Sequence, residues 1–266
     1  MSEQALLRAA LHARFGEDVG VPTGLSGTSE LLRMAQHRSI RSFDRRAVEP
    51  DLLRLLLATA LSSPSKSDLQ QVDIVHVSDP VLQEAVGALV PRMPWVATAP
   101  VLLVVCGNGR RIVEACAMHG QTFANDHFDA VFNTAVDAGI VLSSLLHAAE
   151  AVGLGGCPVS VLRDQAAEVV RLLDLPARVY PVAGLCLGWP AVEAPRAVVS
   201  RLPLAATVHE NTHCDNVLVG HLQSYDQRRT ARDGQPAWSR AKATKYARAE
   251  RADFGAFIEQ QGFRLL

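Results

Sequence analysis

The chain has 266 residues, enough to bury a substantial core in one large domain, and 48 % of them are hydrophobic against 20 % charged, as in ordinary globular proteins. Its 26 basic and 27 acidic residues leave a formal charge of -1, which provides no general field for nucleic acid or an anionic membrane. No apolar run approaches the length of a membrane span. The five cysteines form no C-x-x-C pair and are odd in number, which argues against a disulfide framework and for a reducing compartment. The N-terminus carries early acids and no continuous apolar core of a leader, so the expected location is the cytoplasm.

Residues 4–15 have helical spacing, and Gly16, Gly20, Pro22, Gly24 and Gly27 then break it. Residues 1–28 are read as an appended helix and linker, and residues 29–266 as the main domain. Helices are predicted from Ser29 to His37, from Pro50 to about Pro64 and from about Asp79 to Val90, with a strand at 72–77 between the last two. The apolar, β-branched run at 100–107 reads as a buried strand. The longest helical pattern, 127–152, is apolar on nearly every face, which predicts a helix buried all round and suits a dimer interface. An amphipathic helix at 162–176, a central strand at 180–190, a mostly irregular stretch at 191–236 and a charged helix at about 238–261 complete the chain. Strands and helices mix without strict βαβ alternation, which favours the α+β class.

Several segments could hold chemistry. His37, Arg38, Ser39, Ile40, Arg41 and Ser42 place two arginine forks and two hydroxyls where a helix gives way to extended chain, a set suited to phosphate oxygens. On spacing alone, a solvated basic turn is the plainer account. The loop Pro64–Gln70 is rich in short donors that could meet the edge of a heterocycle, although serine-rich turns are common. Gly153 reads as a helix cap, and Gly155 and Gly156 could admit a flat ligand. Arg201 is a further phosphate candidate. Two patterns mislead. His209–His213 fits H-E-x-x-H, but its surroundings give poor support for the helix that zinc ligation needs. Cys106-Gly107-Asn108-Gly109 imitates a dinucleotide loop but has Ile112 at the third glycine position.

In order along the chain, HRSIRSF (37–43), SSPSKSDLQ (62–70), AAEAVGLGG (148–156), LPARVYPVAGLCLGWP (175–190), RLPLAATVHEN (201–211) and AWSRAKATKYARAERADF (237–254) resemble the nitroreductase family. The likeness is to its oxygen-insensitive NADPH nitroreductase and flavin reductase branch, and it runs from about residue 30 to the end. In that branch the VHEN segment is a loop, so the zinc pattern arises from His213 alone and no metal is expected.

The resemblance implies a mixed β-sheet flanked by helices, in an intertwined homodimer with FMN at the interface. NADPH or NADH would be the reductant, and a nitroaromatic, quinone or flavin the small-molecule acceptor, with neither nucleic acid nor membrane as a partner. His37, Arg38, Ser39, Ile40 and Arg41 would hold the FMN phosphate and ribityl chain, with Arg201 as a second phosphate partner. Ser65 and Ser67 would approach the flavin, and Pro158, Val159, Ser160 and Val161 match the segment beside its ring. The chain departs from the pattern at Met93, at Ser143-Ser144, at Ser160-Val161 in place of two glycines, at Val199 in place of a lysine and at Asp68 in place of an asparagine. These departures leave open two alternatives: a flavin binder with little turnover, or a flavin-dependent dehydrogenase acting on another substrate.

Overall fold

The eight residues Val101–Asn108 are buried without exception, so the strand they form needs cover on both faces of its sheet. The computed structural model describes residues 1–194, 197–214 and 216–266. In chain order the elements are α1 (Glu3–Phe15), α2 (Thr28–Ala35), α3 (Pro50–Leu61), β1 (Val72–Val77), α4 (Pro80–Ala88), β2 (Val101–Asn108) and α5 (Arg110–Met118). They continue with α6 (Phe128–Ala151), β3 (Gly155–Val159), α7 (Ala166–Leu172), β4 (Val179–Gly188), α8 (Leu218–Asp233), α9 (Trp238–Tyr246) and α10 (Phe254–Gln260).

The backbone divides into two units, Ser39–Ala194 with Arg251–Leu266, and Met1–Arg38 with Pro195–Glu250. The first holds a four-stranded sheet in the order β1-β2-β4-β3. One face is covered by α3 and α6 through Leu56, Ala60, Ala138 and Leu145 against Leu103, Val105, Leu185 and Leu187. The other face meets Val86 of α4 and Val169 of α7, together with Val96 and Leu162, against Leu102, Val104, Cys106 and Cys186. The α+β class therefore stands. All three strand pairs are antiparallel, so the mixed pairing implied by the resemblance does not occur among these four strands.

In the second unit α1 packs on α2 through Leu7, Ala10 and Ala35 with Val21. The expected boundary at residue 28 falls inside this unit, which joins α1 to α2. Near the chain's later part, α8 and α9 meet through the Tyr225 and Trp238 rings, 6.1 Å apart.

Four readings of the sequence need correction. The stretch 191–236 contains α8, a helix of which Tyr225 is the buried residue, so its apolar stripe is too thin to stand out. The helix expected over 238–261 is two, α9 and α10, separated by a turn in which Arg251 has φ 53°. The helix expected over 162–176 starts as a tight 3-10 turn at Ser160–Gln165 and ends at Leu172. Lastly, α6 is not buried all round in the single chain: Phe128 (57 %) and Phe132 (54 %) stand exposed on one stripe with Val136. Their spacing of four puts them on the side of α6 that faces away from the sheet.

On β4, Tyr180 donates its hydroxyl hydrogen to Val131 O (3.0 Å) and lies 2.8 Å from Thr134 Oγ1. Burial pushes this phenol up to about 12. A value raised on folding means that the contribution to stability is whole below about pH 10, where the unfolded phenol titrates, and is lost as pH climbs toward 12. Urea unfolding between about pH 9 and 11.5 should therefore show a steeper loss in the wild type than in Tyr180→Phe, by on the order of 1 kcal/mol. Parallel losses would contradict this assignment.

Candidate functional site

Gly153 ends the turn after α6 at φ 89°, as a left-handed cap requires, and the chain re-enters the sheet as β3. On the opposite side of α6, a single carboxylate organises a loop. Asp137 is 1 % exposed and accepts hydrogen bonds from Ser65 Oγ (2.8 Å), the Lys66 N–H (3.0 Å) and Gln71 Nε2 (3.2 Å). Ser65 Oγ in turn accepts from the Gln70 N–H at 2.7 Å. Between these anchors Ser67, Asp68 and Gln70 have φ of 51°, 55° and 50°, a left-handed region that side chains avoid. Three such residues cost roughly 1 kcal/mol or more each. Hydrogen bonds to a charged group contribute roughly 1.5–3 kcal/mol each, so the Asp137 set is large enough to hold the strained loop.

The loop borders a cavity of about 560 Å³ whose polar lining includes Ser65, Asp68, Gln70, Gln71, Arg111 and Asp137. Arg111 donates to Gln70 O (2.5 Å) and Val72 O (3.3 Å) and pairs with Asp73. Asn108 holds the same corner: its Oδ1 accepts from the Arg110 N–H (2.8 Å) and its Nδ2 donates to Asp73 Oδ2 (2.5 Å). The dinucleotide-like C-G-N-G thus caps α5 after an antiparallel strand, which is not the βαβ setting that a dinucleotide loop needs. Ser67 faces elsewhere, lining a second cavity of about 420 Å³ with Lys66, Cys116 and Asn133.

The expected phosphate segment is divided between the two units, after Arg38. In the sheet unit, the Ile40 N–H donates to Gly156 O at 2.9 Å, which lays residues 39–41 along β3. A Cβ on Gly155 would come within 2.5 Å of Ile40 Cγ1, so this glycine makes room for Ile40 rather than for a ligand. Burial pushes the Cys157 thiol up, while the neighbouring Arg41 and Ser39 pull it the other way. Arg41 itself is exposed and has no carboxylate partner among the described residues. Farther along, Pro158 and Ser160 are exposed, Val159 is buried and Val161 half-buried.

In the other unit, His37 and Arg38 follow the end of α2, and Arg38 Nη1 donates to Gln36 O (3.3 Å). Arg201 is exposed and has no carboxylate partner among the described residues. Arg228 donates to Arg201 O, Arg229 to Pro236 O (3.1 Å) and Arg232 to Ser200 Oγ (3.0 Å), so these three arginines brace backbone and loop. The H-E-x-x-H segment is not helical: it is bent, irregular chain, with Asn211 at φ 61° and the His209 and His213 rings 4.4 Å apart.

Sequence reasoning passed over Asp137, Gln71 and Arg111. A lone acid inside the apolar run TAVDAGIV was the available signal, because a buried carboxylate needs donors brought to it.

The architecture is thus an α+β sheet covered by helices on both faces, beside a polar cavity walled by a serine-rich loop. Residues 34–91 and 83–189 match the nitroreductase family, and residues 200–266 match the nitroreductase family, C-terminal domain. The chain belongs to the nitroreductase family. It is 32 % identical over 242 residues to the FMN reductase [NAD(P)H] of Bacillus subtilis (strain 168), covering 87 % of this chain and 96 % of that one. It is 35 % identical over 189 residues to the oxygen-insensitive NADPH nitroreductase of Salmonella typhimurium, covering 71 % of this chain and 75 % of that one. Among solved structures, the NADPH:FMN oxidoreductase from Vibrio harveyi complexed with NAD+ superposes with a TM-score of 0.79 at 31 % identity, covering 88 % and 97 % of the two chains.

Removing the Asp137 carboxylate leaves three donors unpaired, that of Gln71 buried and those of Ser65 and Lys66 partly so. Asp137→Ala should lower unfolding free energy by about 3 kcal/mol or more, and Ser65→Ala by about 1–2 kcal/mol. In a urea double-mutant cycle the two losses should fall well short of adding. Additive losses would show that Ser65 and Asp137 do not act together.

Proposed function

We infer that the chain is an NAD(P)H-driven reductase that passes two electrons at a time, by ping-pong exchange, to small electron-poor acceptors: nitroaromatics, quinones or free flavins. Its reductase class, FMN-dependent and using NAD(P)H, follows from the family and from relatives named as FMN reductases and NADPH nitroreductases. The observation that carries the reading is the match to an FMN reductase over nearly that protein's whole length.

The residues present fit the cofactor. Arg41 and Arg201 each present a guanidinium without an acidic partner among the described residues, as a phosphate ligand requires. A cavity of about 560 Å³ is within the usual range for cofactor and substrate sites. When bound, FMN supplies the two-electron hydride chemistry. In this reading, the matched motif residues His37, Arg38, Ser39, Ile40, Arg41 and Arg201 are the ones assigned to the phosphate and ribityl chain. Ser65 by its side chain, Ser67 by the surrounding loop backbone, and the segment Pro158, Val159, Ser160 and Val161 come near the ring. The polypeptide provides position and local positive charge and needs neither a nucleophile nor an acid–base pair.

Two further features belong to the proposal. The exposed apolar stripe Phe128, Phe132 and Val136 supports a homodimer, since paired copies would remove it from water. All five cysteines are free, which supports a cytoplasmic location.

Flavin absorbance bands in the FMN-loaded protein should bleach on anaerobic addition of NADPH and return on addition of menadione. Bands that stay oxidised would instead favour a flavin binder with little turnover.

A further inference from the structure

Residues 1–28 precede the family match, which begins at residue 34, yet α1 ends in a built contact. Arg14, on its last turn, is only 6 % exposed. Its Nε donates to Ala35 O (3.0 Å), Nη1 to Val199 O (3.0 Å) and Nη2 to His37 O. The link closes from the other direction, for the Arg201 N–H donates to Arg14 O at 2.6 Å. Just beyond, Gly16 caps α1 at φ 74°, and any side chain there would run into Arg228, the residue that donates to Arg201 O. Glu17 Oε1 then accepts from the Leu204 N–H at 2.7 Å.

A guanidinium offers its donors in a rigid plane, so one arginine can hold three carbonyls in a set arrangement where a lysine cannot. Burying that charge is costly unless the donors are met, which couples the carbonyl positions to the guanidinium. One of these carbonyls is that of His37, and another, Val199, lies two residues before Arg201. We propose that Arg14 is a positioning residue for the FMN phosphate. It ties the backbone at His37 to the backbone at Val199–Arg201 and so sets the aim of His37, Arg38 and Arg201. This rests on the FMN reading and on the assignment of those three residues to the phosphate.

The test compares FMN with riboflavin, which has the same ring and ribityl chain but no phosphate. Both are titrated by fluorescence quenching into apo wild type, Arg14→Lys and Arg14→Met, with thermal melts alongside. Arg14→Met should weaken FMN by about tenfold or more while riboflavin stays within about twofold, and Arg14→Lys should fall between. A folded Arg14→Met that loses both flavins equally, or neither, overturns the proposal. If Arg14→Met does not fold, Arg14→Lys decides: a fall of about threefold in the preference for FMN over riboflavin supports the clamp, and an unchanged preference overturns it. Wild type that binds the two flavins equally would overturn the phosphate assignments themselves. Wild type that takes up neither would overturn the FMN reading.

Discussion

Burying a carboxylate is costly unless hydrogen-bond donors meet it, and Asp137 obtains its donors from a loop more than sixty residues earlier in the chain. That requirement pins Ser65, Lys66 and Gln71 to α6 and holds the intervening residues in a backbone they would otherwise avoid. The cavity wall is therefore set by the polypeptide itself. A wall formed beforehand lowers the ordering cost that a cofactor must overcome on binding.

The same helix has three roles on three faces. Ala138 and Leu145 turn to the sheet, Asp137 turns to the loop, and Phe128, Phe132 and Val136 turn outward. Its composition looks uniformly apolar because two of those roles ask for apolar residues. The flavin-type chemistry asks of the protein a firm cradle and local positive charge.

Strands β2 and β4 were legible because they are apolar runs bounded by Pro and Gly, and α3 and α4 because proline starts them. By contrast α8 escaped notice, since a helix that buries little beyond Tyr225 leaves almost no periodic trace. The serine-rich loop could be recognised as polar and turn-like. Its shape could not, because the shape comes from Asp137 across a long sequence separation rather than from glycines within it. Arg14 is hidden for a related reason: its partners are backbone carbonyls, which no side-chain pattern reveals.

If the Asp137 network presets the loop, protection should exist before any cofactor arrives. Amide hydrogen exchange of Lys66 and Gln70 in the FMN-free wild type tests this most directly, since one amide donates to Asp137 and the other to Ser65. The account requires both to exchange at least about a hundredfold slower than an open loop, with little further change when FMN is added. Exchange at open-loop rates until FMN binds would mean that the ligand shapes the loop and that Asp137 does not.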